Sequence, residues 1–227
     1  MDLPKVNAHL HTPFSFSAFR DIDDALDRAV AEKVKVVGIN DFYTAEGYEE
    51  WADGCRKRGL FPLFGIEFIS LNEEDQKAGL RVNDPGNPGR TYISGKGLLQ
   101  PFKLDEPYAS ELTNVRNEAN KQVEAMCEKL NGILTGKNAS FILDIDWIKE
   151  NLTKGSVRER HLAKALRLKV YENCDDNPTC IKNLLREIFG GKELKSDTDN
   201  LAGVENEIRA NLLKSGGLAF VPETAEA

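Results

Sequence analysis

The sequence predicts an α/β fold, part of a barrel-like parallel sheet, carrying a mainly α-helical insertion, and three observations lead there. Residues 5–70 alternate short β-branched runs with amphipathic helical stretches. Histidines and acidic residues gather where those β runs end, and from about Pro107 onward a helical period takes over with no strand of comparable strength.

The first strand is Val6-Asn7-Ala8-His9-Leu10-His11. Successive side chains of a strand point to opposite faces, so His9 and His11 share one face and Val6, Ala8 and Leu10 the other. Two of the chain's three histidines therefore converge, and neutral imidazole is a common ligand for zinc, manganese or iron. A solvated pair of strand-end histidines is the plainer alternative. Asp21, with Asp24 three residues on, can cap a helix whose apolar positions Ile22, Leu26, Ala29 and Val30 run to about Lys33. Val34 to Ile39 is short and β-branched, as suits a strand covered on both faces. Thr44 caps a second helix ending near Gly59, with Tyr48, Trp51, Ala52 and Cys55 along its inner stripe. Leu60 to Ile69 is the third strand. Short connections of this kind predict parallel strands with right-handed crossovers, so that all three strand ends lie at the edge where α/β folds bind ligands. His9, His11, Asp41 and Glu67 fall at or near those ends and form the predicted metal site.

Residues 72–105 read as a long structured loop, turn-rich over 83–90, with Tyr92 to Gly97 a short strand or hairpin. Arg90 and Lys96 are substrate-binding candidates there. Helices are expected over Ser110 to Leu130, Asp144 to Asn151, Val157 to Tyr171, Pro178 to Phe189 and Leu201 to Leu213. Ser156-Val157-Arg158-Glu159 fits a capping box, which would start the third of these at Val157. Val157, Leu162, Ala165, Leu166 and Leu168 then face inward with Arg158 and His161 in the same arc, while Arg160, Lys164 and Arg167 point outward. Arg158 and His161 are either a satisfied buried pair or a phosphate clamp facing the metal edge; in the second case they are substrate-binding and catalytic candidates.

Hydrophobic residues make up 41% and charged residues 30% of the 227, an ordinary globular mixture. The net charge of −7 argues against a broad nucleic-acid or anionic-membrane surface. Met1-Asp2-Leu3-Pro4-Lys5 lacks the basic and apolar regions of a signal peptide, and no apolar run approaches a membrane span, so a cytoplasmic location is expected. Cys55, Cys127, Cys174 and Cys180 lack metal or redox spacing and suit four free thiols in a reducing compartment, with a Cys174–Cys180 disulfide as the alternative.

With His9-Leu10-His11-Thr12, Gly38-Ile39-Asn40-Asp41-Phe42-Tyr43-Thr44 and Gly65-Ile66-Glu67 in that order, the chain resembles the PHP (polymerase and histidinol phosphatase) family of metal-dependent phosphoesterases. The segments 157–166 and 216–222 are similar to the helical insertion of the branch that dephosphorylates nucleotides and nucleoside bisphosphates. The resemblance implies a distorted (β/α)7, TIM-like barrel holding two or three zinc, manganese or iron ions. It divides the chain into a barrel portion over 1–105, a helical insertion over 106–217 and a return segment over 218–227. His9, His11 and Glu67 match family ligands, and Asp41 matches the acidic residue of the second motif. The family usually has Asp where Phe16 stands, His where Phe42 stands and a His near the position of Tyr92. Its further ligands would follow Val221-Pro222, so the chain is expected to be the front portion of a longer protein or an incomplete barrel.

The implied activity is hydrolysis of a small phosphate monoester, a nucleotide among the candidates, by water activated on divalent metal; Asp41, Arg158 and His161 are the candidate catalytic groups. A rival reading is a non-catalytic module that binds a nucleotide or other anion, motivated by Phe16, Phe42 and Tyr92. A third is an obligatory part of an assembly. The oligomeric state is not assigned.

Overall fold

The computed structural model describes residues 3–222 and divides into two compact units. One runs to Asn117 and takes in Thr153–Ser156; the other comprises Glu118–Leu152 and the described residues from Val157 onward. Residues 223–227 of the expected return segment lie outside the described residues.

The first unit contains β1 (Lys5–Leu10), α1 (Ile22–Ala31), β2 (Val34–Phe42), α2 (Tyr48–Arg58), β3 (Phe61–Leu71), α3 (Glu73–Ala78) and β4 (Arg90–Lys96). The sheet has the order β1-β2-β3-β4. Its first three strands are parallel, and β4 returns antiparallel to β3. The result is the curled sheet of a partial α/β barrel. Asp21 caps α1, its side chain accepting from the Asp24 N–H at 2.7 Å. Gly59, left-handed at φ 64°, closes α2. The unit's core is Ile22, Leu26, Val37, Ile39, Tyr48, Trp51 and Cys55, where α1 and α2 cover one face of the sheet.

Two local expectations are corrected here. Helix α2 begins at Tyr48 behind Gly47, not at Thr44, because the Thr44 hydroxyl closes a tight turn by accepting from the Glu46 N–H. Helix α3 was expected as loop; Asn72 caps it through the Glu74 and Asp75 N–H groups and Gly79 ends it, but it buries no residue, so it carries no apolar stripe.

Helix α4 (Tyr108–Gly136) leads into α5 (Ile145–Leu152), α6 (Glu159–Asn173), α7 (Pro178–Ile188) and α8 (Leu201–Ile208), which continues as a π-helical turn over Arg209–Leu213. The second unit packs Met126, Leu130, Leu134, Leu162, Leu166, Val170, Ile181, Leu185, Phe189, Ile208 and Leu212 into its own core. Among the described residues no helix is long and apolar enough to cross a membrane.

Helix α6 differs from expectation in three ways. It starts at Glu159, because Val157 is buried and its N–H donates to Asn120 Oδ1 at 3.0 Å, leaving Arg158 as the N-cap. Arg167 is buried rather than outward: it pairs with Glu205 at 2.7 Å on α8, which packs against that side, and its guanidinium lies 5.6 Å from the Tyr171 ring centroid. Leu168, expected inward, is 37% exposed. The expected four free thiols are also corrected. The loop from α6 to α7 reverses through Asp175 and Asp176, both at positive φ, and Cys174 and Cys180 are brought to a Cα separation of 5.6 Å and joined as a disulfide. Cys55 and Cys127 are free and buried.

Candidate metal centre

Strand register assembles the site. Phe42 pairs with Glu67 and Asn40 with Gly65 across β2 and β3; Glu67 pairs with Ser94, Gly65 with Lys96 and Ile69 with Tyr92 across β3 and β4. Paired residues present the same face of a pleated sheet, so Asn40, Phe42, Glu67, Tyr92, Ser94 and Lys96 line one face, with His9 and His11 at the end of β1. Close approach of the strands is required. A Cβ on Gly38 would meet the Ala8 carbonyl oxygen at 2.5 Å, so only glycine lets β1 lie this near to β2.

On that face His9 Nε2 and His11 Nε2 lie 3.4 Å apart, and each lies 3.1 Å from Glu67 Oε2. A tetrahedral site with bonds of about 2.0–2.1 Å sets neighbouring donors about 3.3–3.4 Å apart. The triangle therefore fits three ligands of one ion, two neutral imidazoles and a carboxylate, and this donor set suits zinc-, manganese- or iron-type cations. Burial lowers the pKa of His9, and Lys96 and His11 push the same way against the charge of Glu67. Burial alone would raise the Glu67 carboxyl, but the hydrogen bond from His11 and the charges of His9 and His11 hold it below the usual range. Both directions favour the ligating forms, a neutral imidazole and an ionised carboxylate.

Aromatic rings pack against His11. Phe16 stacks on its imidazole at 4.6 Å between centroids and Phe42 at 4.8 Å with an interplanar angle of 9°. Tyr92 follows 6.1 Å from Phe42. The second nitrogen of His11, Nδ1, is buried and has no hydrogen-bond partner among the described residues, where a ligating histidine usually donates to an acceptor. Ring stacking and the contact of Nε2 with Glu67 orient this imidazole, with no hydrogen bond at Nδ1.

Asp41 is not in the triangle. It is wholly buried, and its oxygens accept from the Thr12 N–H at 2.7 Å, the Thr12 hydroxyl at 2.5 Å and the Ser15 hydroxyl at 2.6 Å. Burial pushes its carboxyl up, while Ser15 and Thr12 pull it back. It thereby braces the loop that carries Phe16. Lys96 Nζ donates to Asn40 Oδ1 at 2.6 Å and to the Ala8 carbonyl at 3.0 Å. Arg90 lies 3.5 Å from Asp84 and packs over Tyr92 at 5.4 Å. Arg158 and His161 belong to the second unit, where His161 Nδ1 accepts from the Arg158 N–H at 3.0 Å and so caps α6. Burial lowers the pKa of His161 to about 4, so this imidazole is neutral at pH 7 and brings no positive charge to a phosphate.

The sequence reading did not single out Asn40, whose Nδ2 lies 3.2 Å from His9 Nε2 and donates to Ser94 Oγ at 3.2 Å, nor Ser94, Thr12 and Ser15. Asn40 stands two residues before Phe42 and so shares its strand face; that alternation was the available signal.

Comparison with known proteins places this arrangement. The model of the PHP domain family matches residues 7–155. The DNA polymerase III PolC-type of Ureaplasma parvum is 28% identical over 185 residues, and the match takes in 77% of this chain but only 12% of that polymerase. Among solved structures, a protein from Bifidobacterium adolescentis named as a metal-dependent phosphoesterase aligns with a TM-score of 0.53 at 18% identity, over 85% of this chain and 66% of that one. An amidohydrolase from Chromobacterium violaceum, with bound sulfate and no metal, aligns at 0.55 with 15% identity, over 96% and 58%. At these identities the likeness to the two solved structures is one of fold.

Proposed function

The chain belongs to the PHP domain family, and on that premise we propose that it is a metal-dependent hydrolase of phosphate monoesters, with nucleotides the first substrate class to screen. The observation that carries this reading is the convergence of His9 Nε2, His11 Nε2 and Glu67 Oε2 within 3.4 Å of one another on the ligand-binding edge of the sheet.

His9, His11 and Glu67 would hold a divalent ion, whose chemistry there would be Lewis acidity toward a phosphoryl oxygen and toward water. The chain supplies the rest. Glu67 stays ionised, and burial keeps His9 neutral with a lone pair to give. Phe16 and Phe42 pack against the His11 ring, and Asp41 braces the loop that carries Phe16 by binding Thr12 and Ser15. The Lys96 ammonium adds positive charge beside the triangle for an anionic substrate. Arg158 and His161 have no part in this proposal, since His161 is an uncharged helix cap.

The test is hydrolysis of p-nitrophenyl phosphate and a nucleoside monophosphate panel with zinc or manganese, with a chelator, and in the Glu67→Gln variant. Turnover should need added metal and vanish in the variant. Turnover that survives both would defeat the proposal.

The stacked rings favour a second reading, an anion-binding module without catalysis, because Phe16 and Phe42 fill space beside His11 with hydrocarbon. Nucleotide binding by calorimetry that a chelator leaves unchanged, with no turnover, would favour it.

A further inference from the structure

We propose that this centre carries one divalent ion rather than two or three, and that the ammonium of Lys96, seated on Asn40 and Ala8, supplies at a fixed point the charge a further ion would bring. The inference rests on the metal-dependent reading above and specifies its charge.

Donor chemistry limits the ion count. Among the described residues, His9, His11 and Glu67 are the one group of three or more His, Cys, Asp or Glu whose ligand atoms close on a point. Phe42 and Phe16 stack against the His11 ring and against each other, and neither has lone pairs to offer. The adjacent carboxylate, Asp41, has its oxygens held by two hydroxyls and a backbone N–H. A second cation beside the first would meet hydrocarbon and an engaged carboxylate.

The seat of Lys96 is built across three strands. Asn40, Gly65 and Lys96 lie in register on β2, β3 and β4. The lysine stem crosses over Gly65, and a Cβ there would stand 2.5 Å from Asn40 Oδ1 and 3.2 Å from Lys96 Cδ, so the glycine leaves the passage the side chain uses. At the far end Nζ is held at 2.6 Å by Asn40 Oδ1 and at 3.0 Å by the Ala8 carbonyl. Both partners are neutral oxygens, so they position the charge without cancelling it. The same Asn40 amide reaches within 3.2 Å of His9 Nε2, which puts the ammonium one side chain away from the ligand triangle.

The charges then balance a particular substrate. With Glu67 ionised, one divalent ion and Lys96 leave a net charge of about two positive units, which complements a phosphate monoester carrying about −1.5 to −2 at neutral pH. A fixed ammonium at this range repels a second divalent ion, since like charges a few ångströms apart in a partly desolvated site interact by several times the thermal energy.

The test is a Mn(II) titration of the metal-free protein, counted by elemental mass spectrometry and electron paramagnetic resonance. One ion per chain at saturation, with the spectrum of isolated Mn(II), is expected. Two or more ions, or an exchange-coupled manganese signal, would overturn the one-ion inference and leave the metal-dependent reading standing; no bound ion would overturn both. Lys96→Met should keep the stoichiometry at one, tighten Mn(II) binding by about tenfold and weaken inorganic phosphate binding to the loaded protein by a similar factor. Lys96→Gln should match it, since charge and not packing is removed. Unchanged affinities in both variants would overturn the part given to Lys96.

Discussion

The two units use the same side-chain chemistry to opposite ends. In the first, His9, His11 and Glu67 turn their donor atoms toward a common point, and the groups around them orient that triangle without filling it. In the second, His161 caps α6, Glu159 pairs with Arg209 at 2.6 Å and Arg167 with Glu205 at 2.7 Å. There the polar groups satisfy one another and hold helices together. An inward histidine and arginine near a helix N-terminus are therefore weak signs of a ligand site, because a helix end has orphan groups of its own to satisfy. Histidines from a strand end that meet a carboxylate from another strand are stronger, because no backbone group requires them.

Several experiments can break or sharpen this contrast. The largest structural effect is expected from Arg209→Ala. Burial opposes ionisation of Glu159, but Arg209 and Arg158 hold its carboxyl below the usual range. Removing the guanidinium should destabilise the second unit by about 3 kcal/mol, the lower end for a broken buried pair because Glu159 keeps some solvent. Urea unfolding should show this loss with metal binding by the first unit unchanged; loss of both together would mean the units are not separable in function.

Replacing Cys174 and Cys180 by serine should lower stability by about 2 kcal/mol, the loop-closure entropy expected for so short a ring. Equal stability with and without the bridge would remove it from the account. The smallest effect is the pH response of His161. Its folded pKa of about 4 lies below the ordinary 6.5, so the unfolded chain takes up the proton first and stability falls as pH drops through that window. Between pH 8 and 5.5 the loss should be about 1.5 kcal/mol. His161→Gln should flatten that slope, whereas an unchanged slope would place the titrating group elsewhere.

Much of the first unit is legible in the sequence because its elements are periodic. The β-branched run at Val34, the Asp21 cap and the left-handed Gly59 each state a local preference that the tertiary structure keeps. The ligand triangle is legible for the same reason, since His9, His11 and Glu67 fall at the ends of parallel strands. Lys96 could be flagged as a cation but not placed, because its position depends on the antiparallel register of β4, set by pairing with β3 and not by local spacing. Asp41 has the right residue type at the right strand end, yet Thr12 and Ser15 take its oxygens, and no spacing rule reveals donors arriving from a neighbouring loop. Arg167 was misread as a surface cation because a helical wheel does not show that α8 packs on that side. The start of α6 was misplaced because Ser156 and Glu159 fit a cap pattern whose bond is made by His161 instead.

The most direct test of the central claim is metal content per chain by elemental mass spectrometry, on protein purified without chelator and compared with a His9→Ala, His11→Ala double variant of unchanged melting temperature. The account predicts a bound zinc, manganese or iron ion in the parent and none in the variant. Equal metal content in the two, or none in either after incubation with these ions, would contradict it.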